Sequence, residues 1–133
     1  MTDKLLDSSA LLPPAVVIHG VGQAVQATAY GRPVTLLSAP GAALSWGCLW
    51  WRELLRVSGH EGPALLDCAA APGRAAEALA IGLRGIVLIP GPSWGEIAAL
   101  AERSGALLLP SPPPLLDLGL KASERRLKSW LGG

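Results

Sequence analysis

Charged side chains are scarce in this 133-residue chain, at 16% of residues against about 25% in an average soluble domain. The 11 Lys and Arg nearly cancel the 10 Asp and Glu. A formal net charge of +1 supplies no phosphate-seeking field, which argues against a general nucleic-acid partner. The accompanying 50% hydrophobic content excludes a disordered chain, which needs few apolar residues and a high net charge. Cysteine is scarce too. Cys48 and Cys68 form neither a Cys-x-x-Cys pair nor a His/Cys cluster, so no structural metal is expected, and no cofactor motif is complete. Met1 to Ala10 lacks the basic segment and apolar run of a signal peptide, so the two thiols read as reduced and the protein as cytoplasmic. A long apolar span is also missing. Residues 33–51 are uncharged, but Pro40-Gly41 interrupts them, which argues against a membrane helix.

What the chain does contain is a repeated unit: a short run of Val, Ile and Leu, a Pro/Gly turn, then a segment of helical spacing. The runs are Ala15-Val16-Val17-Ile18, Val34-Thr35-Leu36-Leu37, Ala64-Leu65-Leu66-Asp67-Cys68, Gly85-Ile86-Val87-Leu88-Ile89 and Ala106-Leu107-Leu108-Leu109. Continuous apolar runs suit strands of a parallel sheet, and the segments between them are long enough for crossover helices. Five strands and five helices in alternation predict one α/β domain over 1–133, a three-layer α/β/α sandwich with flavodoxin-like strand order 2-1-3-4-5. Another strand order or a partial barrel are the alternative solutions. Residues 1–14 read as an N-terminal arm, 110–114 as a stiff Pro-rich connector, and 115–133 as a C-terminal helix with Leu116, Leu120, Leu127 and Leu131 on one face. Gly31, Gly59 and Gly105 are expected to end helices, and Ser93 with Glu96 to form a capping box. The cations Lys121, Arg125, Arg126 and Lys128 read as the solvated face of the last helix.

In such a fold a ligand binds beyond the carboxyl ends of the strands. Gly20 and Gly22 open the first helix directly after a strand, as a phosphate-binding turn would, although Val25 stands at the third fingerprint position and Ser38 where a ribose-binding acid belongs. Gly41 and Gly91 occupy equivalent turns. Gly91-Pro92-Ser93-Trp94-Gly95 matches the nucleophile-elbow pattern, but both His19 and His60 precede Ser93. In strand order 2-1-3, His19 stands between Ser38 and Asp67, the arrangement a base needs between nucleophile and orienting acid, with Cys68 as a substitute nucleophile. The plainer reading gives Asp67 a capping role and His19 a backbone carbonyl.

In length, inferred topology and an aspartate ending the third strand, the chain resembles a response-regulator receiver domain, which implies Asp67 as phosphoacceptor. It departs from that pattern at His19-Gly20, where an acidic pair belongs, and at Leu109 before Pro110, where a lysine belongs.

The segment from Ala42 to Val57 reads as one helix with two apolar stripes, Trp46, Trp50, Leu54, Val57 and Leu44, Cys48, Trp51, Leu55. A helix lying on a sheet needs only one. The second stripe predicts a homodimer through Trp46, Trp50, Trp51 and Leu55, with an internal cover or a ligand wall as the competing accounts. The leading expectation is therefore a non-catalytic binding or interaction module that pairs with itself. The alternative is a small-molecule enzyme or ligand-binding protein using His19, Ser38, Asp67 and Ser93, with a small anionic ligand held at Gly20, Gly22, Gly41 and Gly91.

Overall fold

The computed structural model describes residues 12–132. Most of the N-terminal arm, residues 1–11, lies outside them, as does the part of the internal-cover expectation that rests on it. Six strands form one parallel sheet: β1 (Ala15–Ile18), β2 (Thr35–Ser38), β3 (Ala64–Asp67), β4 (Gly85–Val87), β5 (Leu107–Leu109) and β6 (Leu115–Asp117). The helices are α1 (Val21–Thr28), α2 (Ala42–Ser45), α3 (Cys48–Ser58), α4 (Pro72–Ala80), α5 (Trp94–Ser104) and α6 (Ser123–Trp130). The chain is thus α/β with a parallel sheet flanked by helices. Gly59 and Gly105 close α3 and α5 as the sequence predicts.

Several features of the sequence reading are corrected. There are six strands, not five, and their order is β5-β4-β3-β2-β1-β6 rather than 2-1-3-4-5. The expected C-terminal helix begins eight residues late. Leu115-Leu116-Asp117 pairs along β1 instead, with Leu116 and Leu118 buried, while Leu120, counted on the helical stripe, is 63% exposed. The short apolar run outcompetes helical spacing because β1 offers an open edge whose backbone groups need partners. Helix α6 then folds back onto the sheet through Leu127 and Leu131, and the Trp130 indole N–H donates to the Ala15 carbonyl at 2.8 Å.

The strand order dictates curvature. The connector Pro110 to Pro114 joins β5 at one edge of the sheet to β6 at the other. Its six Cα steps from Leu109 to Leu115 reach at most about 20–22 Å, whereas a flat sheet would hold these strands about 24 Å apart. The sheet must therefore curl until its outer strands approach, although among the described residues no ladder joins β5 to β6. Alternation of side chains along each strand separates two clusters. The larger takes in Val16, Ile18, Leu36, Leu66, Ile86 and Leu108 together with the buried faces of the helices. The smaller is one residue from each of β1 to β5, namely Val17, Leu37, Leu65, Val87 and Leu109, all at most 2% exposed. Among the described residues no helix contributes to this second cluster, on which Leu12 packs, and the curl turns its face of the sheet inward like the wall of a β/α barrel.

The Trp-rich segment is two helices, not one. Gly47, at φ +91°, breaks it between α2 and α3, a conformation that favours glycine. The break rotates the stripes: Cys48, Trp51 and Leu54 face the core, Trp50 and Leu55 are half-buried, and Leu44, Trp46, Leu49 and Val57 remain outside. Trp51, at 1% exposure, is thus unavailable to a partner, which corrects its assignment to an interface. The expected capping box is also absent, since Ser93 sits before α5 without a side-chain cap hydrogen bond.

Candidate functional site at the carboxyl ends of the strands

With β2 and β6 as the neighbours of β1, His19 cannot stand between Ser38 and Asp67. Strand β3 lies two spacings from β1, about 10 Å. The partner of His19 is instead Asp117 at the end of β6, with Nε2 to Oδ1 at 2.7 Å. The pair is built from both sides. The His19 backbone N–H donates to Gln23 Oε1 at 2.8 Å, and Gln23 Nε2 donates to the Leu118 carbonyl at 3.2 Å, so α1 ties the two strand ends together. Asp117 Oδ1 also accepts the Gly119 backbone N–H at 2.7 Å. A Cβ on Gly119 would fall 2.5 Å from His19 Nε2 and 3.1 Å from Asp117 Oδ1, so only glycine leaves room for this contact.

A neutral imidazole in this position donates Nε2–H to the carboxylate and keeps Nδ1 as an acceptor. His19 and Asp117 are 40% and 24% exposed at their side chains, so the acceptor is reachable from solvent. Asp117 is in register with Val17, which places the pair at the mouth of the concave face. It also lies at the carboxyl ends of β1 and β6, the end at which α/β sheets and barrels bind their ligands.

The other sequence candidates serve the turns. Ser38 Oγ accepts the Asp67 backbone N–H at 2.9 Å and donates to the Ala39 carbonyl at 3.2 Å, which occupies the hydroxyl. Asp67 Oδ1 accepts the Gly41 and Ala69 N–H groups at 3.1 and 2.8 Å, holding Ala69 at φ +50°. The structure therefore brings Ser38, Asp67 and Gly41 together as a scaffold and leaves His19 out of it. The receiver-like expectation loses its strand order, and Asp67 acts as a turn cap. Ser93 and Gly91 line a separate small cavity with Ala70, Pro72, Leu88 and Trp94, none of which can act as a base. Gly20 and Gly22 border open space, and neither has a left-handed φ.

Cys68 is fully buried and its thiol is pushed up to about 12, first by burial and then by the nearby Cys48, Asp67 and Glu77. Burial likewise raises Cys48 to about 11. Neither is a nucleophile at neutral pH. Relative to a free thiol, the thiolate fraction at pH 8 falls by about two orders of magnitude or more. A thiol reagent is accordingly expected to label both cysteines only after unfolding, and fast native-state labelling would refute this. Because the folded values lie above the unfolded ones, the thiols' stabilising contribution is complete below about pH 9 and is lost as the pH rises towards 11 and 12. Alkaline titration of the unfolding midpoint reads that loss.

A cavity of about 730 Å³ opens at the opposite, amino-terminal end of the strands, between Leu65, Leu107, Arg52, Arg84 and His60. There His60 Nε2 is engaged by the Pro63 carbonyl at 2.9 Å, and among the described residues the lining Glu61 forms no ion pair with His60, Arg52 or Arg84. The His19–Asp117 end is the better candidate because it pairs an oriented acceptor with the ligand-binding edge. Among the described residues no helix is long and apolar enough to cross a membrane, and no group of three or more His, Cys, Asp or Glu is placed to hold a metal ion.

Sequence reasoning missed Asp117, Gln23 and Gly119. A signal was present, since Leu115-Leu116-Asp117 repeats the Leu65-Leu66-Asp67 run that ends β3. In both, the aspartate accepts the backbone N–H two residues on. No protein-family model, curated protein or solved structure matches the chain.

Proposed function

We propose that the chain is a small-molecule-binding α/β domain whose ligand sits over the carboxyl ends of β1 and β6. The 2.7 Å bond from His19 to Asp117 carries this reading. It fixes the imidazole tautomer and leaves Nδ1 as a proton acceptor on a side chain 40% exposed, which is what recognition of a hydroxyl or acidic proton requires. With the Ser38 hydroxyl committed to the turn and both thiols buried, the role is binding without a covalent step. Protonated, buried thiols fit a reducing, cytoplasmic setting. The test is a small-molecule screen read on the His19 ring resonances. Hits are expected to lose about tenfold in affinity in His19→Ala, the weight of one hydrogen bond. A screen in which no compound moves those resonances, or hits that bind His19→Ala unchanged, would sink the reading.

A second reading, self-association, rests on the exposed edge of α2 and α3. Trp46 is 67% exposed and lies 5.8 Å, ring to ring, from half-buried Trp50, with Leu44 and Leu49 also exposed on this segment. An apolar, aromatic surface of this kind suits an isologous homodimer. The interface is then Trp46, Leu49 and the outer edge of Trp50, without Trp51. Sedimentation as a monomer at high micromolar concentration would dismiss it.

A further inference from the structure

We infer that the ligand of the His19–Asp117 site is a small organic oxyanion, a carboxylate or phosphate ester carrying a hydroxyl, and that Lys121 and Arg125 receive its negative group. This rests on the reading of His19 and Asp117 as a binding site. The turn from β6 into α6 walls a cavity of about 390 Å³, lined by residues 118–122 together with Glu124 and Arg125. Gly119 joins the two: it lines that cavity and also lies against the Nε2–Cδ2 edge of the His19 ring, so cavity and pair share this residue as a wall.

Charge selects the occupant. Lys121 and Arg125 line the space against one carboxylate, Glu124, and among the described residues neither cation is in an ion pair. The other nearby acid, Asp117, is committed to His19. The amino-terminal end of α6, beginning at Ser123, adds its partial positive charge to the same side. An oxyanion on Lys121 and Arg125 with a hydroxyl donating to His19 Nδ1 satisfies both halves of the site. A neutral ligand leaves two cations unused, and a cationic one meets them directly.

The test uses the full chain with inorganic phosphate and glycolate as probes, followed by chemical-shift titration of the His19 ring and the residue 118–125 amides. Both probes are expected to bind in the millimolar range, with glycolate moving the His19 ring more. Lys121→Gln combined with Arg125→Gln should weaken them at least tenfold. A control with the same charge change, Arg103→Gln with Lys128→Gln, should leave them within twofold. Equal weakening in both pairs, or none in the first, overturns the assignment. A neutral compound that moves the His19 ring regardless of Lys121 and Arg125 also overturns it while leaving the binding site itself standing. If nothing moves the ring, the site reading falls and the anion assignment falls with it.

Discussion

Replacing Trp51 with alanine is expected to cost about 3–5 kcal/mol of folding stability, a large part of the roughly 5–15 kcal/mol by which a domain of this size is stable. Trp51 is among the largest fully buried side chains and belongs to the cluster that unites the helices with the sheet. Its flanks on α3, Cys48 and Leu54, are buried too, and the Trp50 ring lies beside it at 5.8 Å, tilted by 40°. A void framed by β-strands on one side and a helix on the other collapses poorly, which places the cost towards the upper end. Trp46→Ala, five residues earlier across the Gly47 break and mostly exposed, should fall within about 0.5 kcal/mol of the parent. Urea unfolding of the two variants separates them. Equal midpoints would show that Trp51 does not anchor the helix.

The second large effect is expected from a single methyl group. At Gly85, the first residue of β4, a Cβ would lie 2.8 Å from Leu65 Cδ2 and press still harder on the Ala64 carbonyl oxygen. The leucine end can rotate away, but the carbonyl belongs to β3 and cannot move without dragging the strand. Gly85 is also in register with Leu107, so displacing β4 disturbs β5. Overpacking against backbone makes about 3 kcal/mol or more the expected loss for Gly85→Ala, with a lower soluble yield. Gly73→Ala in α4 and Gly95→Ala in α5 supply the contrast, because nothing lies within 4 Å of a Cβ at either. Each should gain about 0.5–1 kcal/mol from helix propensity and a less flexible unfolded chain. Chemical-denaturation midpoints moving in one direction for all three would contradict this account.

The parallel α/β class was legible because runs such as Val16-Val17-Ile18 and Leu65-Leu66 are apolar on consecutive residues, short and bounded by Pro/Gly turns, which suits strands buried on both faces. Strand order was not, since any run of that kind can neighbour any other. The connector held the missing information: five residues with four prolines are too short to cross a flat sheet, but that constraint bites only once β6 is known to be a strand. Residues 115–117 hid because leucines at 116, 120, 127 and 131 mimic a helical stripe. Half of the candidate site followed from local grammar, with His19 read at a strand end, while Asp117 depended on the unseen pairing. Ser38 and Asp67 do meet, but through the Asp67 backbone, which their side-chain chemistry could not reveal.

The pairing of β1 with β6 also gives the site a place in the order of folding. His19 and Asp117 are 98 positions apart and meet only through that pairing. Contacts of such separation pay the largest loop-closure entropy and form late. A growing chain therefore carries most of its sheet before it has any binding site, and a partial opening that peels β6 and α6 from the edge removes the site while β1 to β5 stay paired. Occupancy would oppose that opening, because a ligand that bridges His19 and the turn after Asp117 holds β6 and α6 against β1.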